Sequence, residues 1–218
     1  CNATSTDQRG IARPAPSSYA CASGAVEVSS PLPQNCTTIT TEAILSACIT
    51  SANTVAGADT LTLAADITLT TALPLITSPI TLEGASHFVS GGNTVRVFEI
   101  TGTGDFTVND ATIQDGQAAG SGGAGILNTG SLTVTNSIFT LNATTGATGG
   151  GAILSNGTLS ISDSTLSNNT TTANGGAIYA DATTTINNST FQDNQANYGG
   201  GAYFNGSHTY TVENTTIS

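Results

Sequence analysis

Two carboxylates of this 218-residue chain, Asp110 and Asp163, stand at the same place in related sequence segments and are the first candidates for acid–base chemistry. Inverting glycosidases need two carboxylic acids on one face, about 6.5–9.5 Å apart. Two stacked strand spacings would separate the pair by roughly 9.6 Å, which touches that range. However, Asn occupies the same place in the other copies, so we predict a structural ladder without catalysis. Its members are Asp110, Asn136, Asp163, Asn188 and Asn214.

The remaining ionisable residues offer no second catalytic pattern. Pectate-lyase-like chemistry needs a basic residue beside calcium-binding carboxylates, but the chain has no Lys, and Arg96 is the only Arg between residues 59 and 218. His87 and His208 lie about five repeats apart, so they cannot share a metal ion or activate one nucleophile. We therefore predict no enzyme activity, no catalytic residue, no cofactor and no metal site.

The charge of the chain excludes two classes of partner. Its net charge is −11 with only three basic residues, and its isoelectric point is near 4.1. Such a chain cannot present the basic surface that nucleic-acid phosphates or anionic membranes attract. The longest apolar runs are a few residues, far short of the roughly 20 that a membrane span requires. We predict no nucleic-acid partner and no transmembrane helix.

The sequence divides into three regions, and these regions must position the candidate residues named above. Residues 1–34 are rich in Ser, Ala and Pro without a hydrophobic period, which is typical of an extended arm or linker. Residues 35–58 contain one amphipathic pattern, which predicts a capping helix over about 41–53. Its apolar positions are Ala43, Ile44, Ala47, Cys48 and Ala52. From residue 59 to residue 218 apolar residues alternate with period two, which predicts short strands.

A repeat of 25–27 residues occupies the chain from residue 105 onward. Five segments share one template: D-F-T-V-N-D-A-T-I (105–113), S-L-T-V-T-N-S-I-F (131–139), T-L-S-I-S-D-S-T-L (158–166), T-T-T-I-N-N-S-T-F (183–191) and T-Y-T-V-E-N-T-T-I (209–217). A Gly-Gly-Ala marker lies between them at 122–124, 150–152, 175–177 and 200–202. Each copy is too small to close its own core, so the copies must stack.

Short β-branched strands separated by Gly-rich corners predict an all-β parallel β-helix (solenoid) of about six coils over residues 59–218. Stacking in register places three apolar columns in the core. The first is Phe106, Leu132, Leu159, Thr184 and Tyr210; the second is Val108, Val134, Ile161, Ile186 and Val212; the third is Ile113, Phe139, Leu166, Phe191 and Ile217. The Asp/Asn ladder follows the second column at a bend, where amides could hydrogen-bond along the stack.

Two sets of motifs resemble known families. Gly-Gly-Ala-Ile (150–153, 175–178) with Phe-x-x-Asn (139–142, 191–194) resembles the repeats of chlamydial polymorphic outer membrane proteins and similar bacterial surface β-helices, over residues 98–218. Upstream, T-E-A-I (41–44), G-A-D-T-L-T-L (57–63) and L-P-L-I-T-S-P-I-T-L-E-G (73–84) resemble the CSLREAI domain that often opens such proteins, with its Cys-Ser-Leu-Arg portion absent or displaced to Cys36. The resemblance implies a right-handed helix with a helical N-terminal cap, and secretion to the cell surface.

The four cysteines, Cys1, Cys21, Cys36 and Cys48, lie in the first quarter of the chain and lack the C-x-x-C spacing of zinc sites. Their even number in a Thr/Ser/Asn-rich chain favours two disulfides and an oxidising, extracellular location, and four free buried thiols are the alternative. Among the three pairings that four cysteines allow, we expect Cys36 with Cys48, around the predicted helix, and Cys1 with Cys21.

Ten N-x-S/T sequons make the chain a candidate glycoprotein if its source modifies them. They begin at Asn2, Asn35, Asn142, Asn156, Asn168, Asn169, Asn187, Asn188, Asn205 and Asn214. We expect the ladder residues Asn188 and Asn214 to point inward and to stay unmodified.

Together these patterns predict a non-enzymatic extracellular protein of the cell surface, either a β-helical filament subunit or an adhesin stalk. We expect it to associate with further copies of itself, or to bind a surface or a glycan. The alternative is a carbohydrate-active or glycan-binding β-helix, with Tyr179, Tyr198 and Tyr203 as stacking residues. The sequence stops at Ser218, directly after a template strand. We expect either a cut fragment or head-to-tail assembly, in which residues 1–34 add a strand to a neighbour.

Overall fold

Parallel strands stacked on a 25–27-residue repeat dominate the computed structural model, which describes residues 34–54 and 57–218. The first sheet contains Asp59–Thr62, Pro79–Glu83, Asp105–Asn109, Ser131–Thr135, Thr158–Ser162, Thr184–Asn187 and Tyr210–Glu213. The second contains Ile67–Thr68, Phe88–Ser90, Thr112–Gln114, Ile138–Thr140, Thr165–Ser167, Thr190–Gln192 and Thr216–Ile217. These strands confirm the predicted all-β parallel β-helix of about six turns.

Two sheets with fewer strands, three and five, contribute to some of the coils. The third sheet contains Gln117–Ala118, Ala143–Thr144 and Thr170–Thr171. The fourth contains Phe98–Ile100, Ile126–Asn128, Ile153–Ser155, Ile178–Ala180 and Ala202–Phe204. The first three Gly-Gly-Ala markers precede strands of the fourth sheet, and the Ala of the last marker begins Ala202–Phe204. Gly150 and Gly175 have φ of +76° and +70°, and a Cβ at Gly150 would lie 2.1 Å from the Ile153 carbonyl oxygen, so this corner requires glycine.

The three predicted columns lie in the core in the predicted register, but their last coil was predicted wrongly, because Val212 and Ile217 are 40% and 53% exposed. The core also contains a column of the fourth sheet, Ile126, Ile153 and Ile178. Val134 is paired with Val108 and Ile161, and Phe139 with Ile113 and Leu166. Burial of one such side chain is worth about 1.5–3 kcal/mol, so the stacked columns supply the main driving force for coil assembly. Thr184 is the polar member of the first column, and its Oγ1 donates a 3.0 Å hydrogen bond to the Ala182 carbonyl.

The only α-helix in the described part of the chain is Glu42–Ala52, close to the predicted range of 41–53. Thr41 caps it, since its Oγ1 accepts a 3.3 Å hydrogen bond from the Ile44 N–H. The buried face is Leu45, Cys48, Ile49 and Ala52. The predicted stripe was partly wrong, because Ala43 and Ala47 lie on the solvent side of the helix.

A disulfide joins this helix to the preceding 3₁₀ turn, Gln34–Thr37. Cys36 and Cys48 are bonded, with their Cα atoms 5.6 Å apart and both side chains buried. The bond closes the loop expected from the sequence, and these two cysteines are not free thiols. Cys1 and Cys21, and residues 1–33 of the predicted arm, lie outside the described residues.

A single carboxylate ties the start of the helix to the first coil. Glu42 accepts hydrogen bonds from the backbone N–H groups of Thr70 and Thr71 at 3.1 and 2.8 Å. It also accepts from their hydroxyls at 2.8 and 2.7 Å. Hydrogen bonding, led by the Thr71 hydroxyl and exceeding the opposing effect of burial, lowers the pKa of Glu42 to about 2. Glu42 belongs to the T-E-A-I motif, so one residue of that motif connects the capping helix to the first coil.

Candidate functional site

The Asp/Asn column marks a bend between the first and second sheets. All five of its members have a left-handed backbone, with φ between +48° and +51°. Asn and Asp tolerate this conformation better than other residues with a side chain. The column members are Asp110, Asn136, Asp163, Asn188 and Asn214. Their shared residue type therefore follows from the backbone geometry of the bend.

The expectation that Asn188 and Asn214 point inward was wrong, since both are exposed. The left-handed bend turns these side chains out of the coil. Asn188 donates a hydrogen bond to the Asp163 carboxylate of the previous coil. Asn214 instead donates to Asn187 at 3.3 Å, one residue before the column.

The internal polar ladder is a different one, formed by the buried Asn142 and Asn169 and the half-buried Asn194. Asn142 Nδ2 donates a 3.0 Å bond to Asn169 Oδ1, and Asn169 Nδ2 donates a 3.0 Å bond to Asn194 Oδ1. The same amides donate to the carbonyls of Ile113 and Phe139, at 3.0 and 2.9 Å. The sequence contained a signal for this ladder, because Asn142 and Asn194 are the Asn residues of the Phe-x-x-Asn motifs.

A second internal ladder consists of serines that follow the bend. Ser137, Ser164 and Ser189 are buried, and each hydroxyl donates to the carbonyl two residues before it, at 2.7–2.8 Å. The hydroxyls of Ser164 and Ser189 also accept from the N–H of the equivalent serine one coil earlier, at 3.1 and 3.3 Å. The serines thus satisfy backbone groups that the bend leaves without a strand partner.

Burial also decides which sequons a glycan could reach. Asn142 and Asn169 are 0% exposed and fully engaged in the internal ladder. Asn156, Asn168 and Asn187 are exposed. A glycan on the folded chain can therefore occupy the second set and not the first.

The carboxylates of Asp110 and Asp163 face separate bend partners. Both oxygens of Asp110 accept from the Ser86 hydroxyl at 3.2 Å, and Asp163 accepts from Asn188. Asn136 occupies the coil between them. Asn136 donates to Asn109 at 3.4 Å and not to Asp110. Among the five described column members, only Asn188 and Asp163 bond each other, so the predicted ladder is not continuous.

The basic and aromatic groups are distributed over several coils. His87 Nδ1 lies 3.1 Å from Asp66 Oδ1, whereas His208 Nε2 lies 3.3 Å from Asp181 Oδ1 in a distant coil. Arg96 pairs with Glu99 at 2.7 Å and donates to the carbonyls of Gly122 and Gly123. Arg96 therefore holds a Gly-Gly-Ala corner in place.

Aromatic side chains gather on the outer face of the fourth sheet. Tyr179 and Tyr203 stack with ring centroids 5.5 Å apart and planes inclined by 17°. Desolvation first, and then the Asp181 carboxylate, raise the pKa of Tyr179. Tyr198, in the loop before Tyr203, is 70% exposed. The three tyrosines expected to stack on a ligand thus lie in the last coils, two of them stacked on each other.

Residues 34–54 and 57–218 contain no group of three or more His, Cys, Asp or Glu side chains placed to hold a metal ion. They also contain no helix that is both long and apolar enough to cross a membrane. One buried carboxylate oxygen, Asp59 Oδ2, has no hydrogen-bond partner, and burial raises the pKa of that carboxyl.

Comparison with known protein families matches residues 77–218 to the right handed beta helix region. A search of curated proteins and a search of solved structures returned no match. The matched residues make up well over half of the chain and include every strand from Pro79–Glu83 onward. The resemblance to chlamydial repeats and to the CSLREAI domain stays a prediction. By the extent of this match and by its stacked parallel coils, the chain belongs to the right handed beta helix family.

Proposed function

We propose that this chain is a non-enzymatic structural protein of the cell surface, a β-helical filament subunit or adhesin stalk. The observation that carries the proposal is the use of its buried polar side chains. The buried Asn142 and Asn169 and the half-buried Asn194 bond one another and the backbone of neighbouring coils. Buried, fully bonded networks of this kind rigidify a fold. Rigidity along the stacking axis suits a stalk.

The extracellular location in this proposal is supported by the disulfide between Cys36 and Cys48. Disulfides persist in oxidising compartments and are rare in reducing ones. The test is fractionation of the native host, followed by thiol labelling with and without a reductant. Protein found in the cytoplasm with labelled cysteines would contradict this part of the proposal.

Self-association is supported by the interchangeability of the coils. Ser131–Thr135 pairs with Asp105–Asn109 on one side and with Thr158–Ser162 on the other, always in the same register. A strand that pairs so generally with its own repeats can pair with those of a second copy. Electron microscopy of the native material, and light scattering of the full chain against a chain lacking residues 1–34, test assembly. Monodisperse monomers of both at high concentration would contradict it.

The proposal that this chain is not an enzyme is tested by replacing the carboxylates of Asp110 and Asp163. The Asp110→Asn and Asp163→Asn double variant should keep whatever biological activity the full chain has, because Asn already fills this column elsewhere. The assay is release of reducing ends from a panel of polysaccharides. Hydrolysis by the wild-type chain that the double variant loses would identify a catalytic pair.

A second candidate function is glycan binding, favoured by the stacked Tyr179 and Tyr203 and the exposed Tyr198. Aromatic side chains at a surface supply large contact areas at low entropic cost. A glycan array with the full chain, and with Tyr198→Ala and Tyr203→Ala variants, tests it. Thr165→Ala, on another sheet, is the matched control. Binding that all three variants retain would show that the tyrosines bind no glycan.

A further inference from the structure

The outer face of the first sheet carries an unbroken column of hydroxyl side chains. The paired registers place one Thr or Ser at the central outward position of every strand. The column is Thr60, Thr81, Thr107, Thr133, Ser160, Thr185 and Thr211. Neighbouring strands lie about 4.8 Å apart, so the seven hydroxyls repeat regularly over roughly 29 Å.

These hydroxyls bond nothing within the part of the chain that the structure describes. The internal serines are the contrast, because Ser137, Ser164 and Ser189 each donate to a backbone carbonyl. A hydroxyl offers one donor and two acceptor sites. The outer column therefore presents its full hydrogen-bonding capacity outward. The β-branched Thr side chains have few rotamers, so their hydroxyls are held in repeated positions.

Flanking residues extend the column into a two-dimensional array. Alternate residues of a strand lie about 6.6 Å apart on the same face. The two central strands present only hydroxyls outward: Ser131, Thr133, Thr135, Thr158, Ser160 and Ser162. Asp105 lies directly beside Ser131 on the neighbouring strand, whereas Glu83 and Glu213 lie two strands away from the central pair. The centre of the face is thus uncharged and periodic in two directions.

The composition of the face restricts its ligand. The first sheet has no Lys or Arg, so it offers no counter-charge to phosphate or sulfate groups. Its outward positions carry no aromatic ring, whereas the tyrosines that could stack on a sugar belong to the fourth sheet. The ligand that fits is an uncharged lattice of hydrogen-bond donors and acceptors, with repeats close to 4.8 and 6.6 Å along its surface. Ice has this chemistry, and its oxygen atoms repeat at comparable spacings.

We propose that the outer face of the first sheet binds the surface of ice crystals. The regularly spaced hydroxyls bond lattice water, and the rigid ladder-braced coils keep their spacing fixed before contact. Such preorganisation lowers the entropic cost of binding. Individual contacts are weak, but the seven strands act together on one rigid face. This role is independent of filament formation, and a monomer or a filament could perform it.

Thermal hysteresis and ice-recrystallisation assays on the full chain test the proposal, together with ice-affinity partitioning of labelled protein. The wild-type chain should shape growing ice crystals and enter the ice fraction. Thr133→Tyr places a bulky ring in the centre of the array and should reduce hysteresis several-fold. Ser160→Tyr is a second such variant, so misfolding of one does not remove the test. Circular dichroism melting identifies the folded variants.

The matched control is Thr165→Tyr, the same kind of change in the same repeat on the second sheet. Its outward column is interrupted by Phe88 and Ile138, so it is no hydroxyl array. This variant should keep wild-type hysteresis. The proposal is overturned if the wild-type chain stays in the liquid fraction, or if the folded array variants lose no more activity than the control. Binding to microcrystalline cellulose without an effect on ice would also overturn it, in favour of a polysaccharide ligand.

Discussion

At the scale of single residues, the bends and the interior use polar side chains for opposite tasks. Asp163 sits at an exposed left-handed bend, where its residue type serves the backbone. Asn169, six residues later, is fully buried, and its side chain bonds two neighbouring coils. Sequence proximity therefore says little about the role of an Asn or Asp in this fold.

Asp163→Gly and Asp163→Ala separate the backbone role from the side-chain role. Both variants lose the hydrogen bond from Asn188, but only Ala resists φ of +51°. We expect Ala to be less stable than Gly by about 1–2 kcal/mol, the cost of a left-handed residue with a Cβ. Urea midpoints of the two variants measure the difference, and equal midpoints would show that the bend tolerates any residue.

Asn169→Ala should destabilise the chain by about 2–4 kcal/mol, because it leaves buried groups without partners. Asn142 would lose the acceptor of its backbone N–H at 3.1 Å and of its side-chain amide at 3.0 Å. Thr165→Ala is the control, since that side chain is half-buried on the outer face, and its effect should stay within about 0.5 kcal/mol. Equal losses of unfolding free energy would contradict the ladder's role.

At the scale of elements, the short α-helix is held in place by two sets of contacts, one in each half of the helix. The disulfide fixes Cys48 to the preceding turn, and Glu42 receives four hydrogen bonds from Thr70 and Thr71. Leu45 and Ile49 of the helix belong to the core. A cap of this kind covers the apolar columns, which repeat proteins require at their ends.

Glu42 makes the stability of the cap depend on pH. Its pKa in the folded chain is about 2, below the ordinary 4.5, so its contribution is complete above pH 4.5 and is lost as pH falls towards 2. Partial exposure limits the contribution to about 1–2 kcal/mol. Glu42→Gln should remove this part of the acid destabilisation in denaturation curves between pH 2 and pH 5.

The control is Glu213→Gln, because that carboxylate is exposed in the last strand of the first sheet. This variant should keep the wild-type pH dependence. If Glu42→Gln and the wild-type chain lose the same free energy of unfolding on acidification, the four hydrogen bonds do not stabilise the cap.

At the scale of the whole molecule, the coils are equivalent units that share one core. Every described strand of the first and second sheets pairs in parallel with strands one repeat away. Stability in such an array is close to a sum over coils and the interfaces between them. We therefore expect the chain to fold after loss of one complete coil, but not after loss of part of a coil.

Deletion of residues 131–157 removes one complete coil and tests this equivalence. Thr158–Ser162 would then pair with Asp105–Asn109 in the register that Ser131–Thr135 uses now. We expect a folded β-rich chain with a lower melting temperature, because one interface is lost. Deletion of residues 131–143 removes half a coil and should abolish cooperative melting in circular dichroism. Folding of both deletions, or of neither, would contradict the prediction.

The sequence alone determined the fold, the register and the core columns except in the last coil, because a two-residue side-chain period and a 25–27-residue repeat leave one way to stack strands. Val212 and Ile217 of that coil are exposed. The sequence also indicated the Cys36–Cys48 bond, since a short loop encloses the helix. The side on which each polar residue lies was decided only by the tertiary structure. Asn188 lies outside and Asn142 inside, because left-handed bends rotate the chain between sheets. The hydrogen-bond partners of Glu42 could not be predicted from the sequence either. Thr70 and Thr71 lie 28 and 29 residues away and contact Glu42 only when the helix packs on the coil.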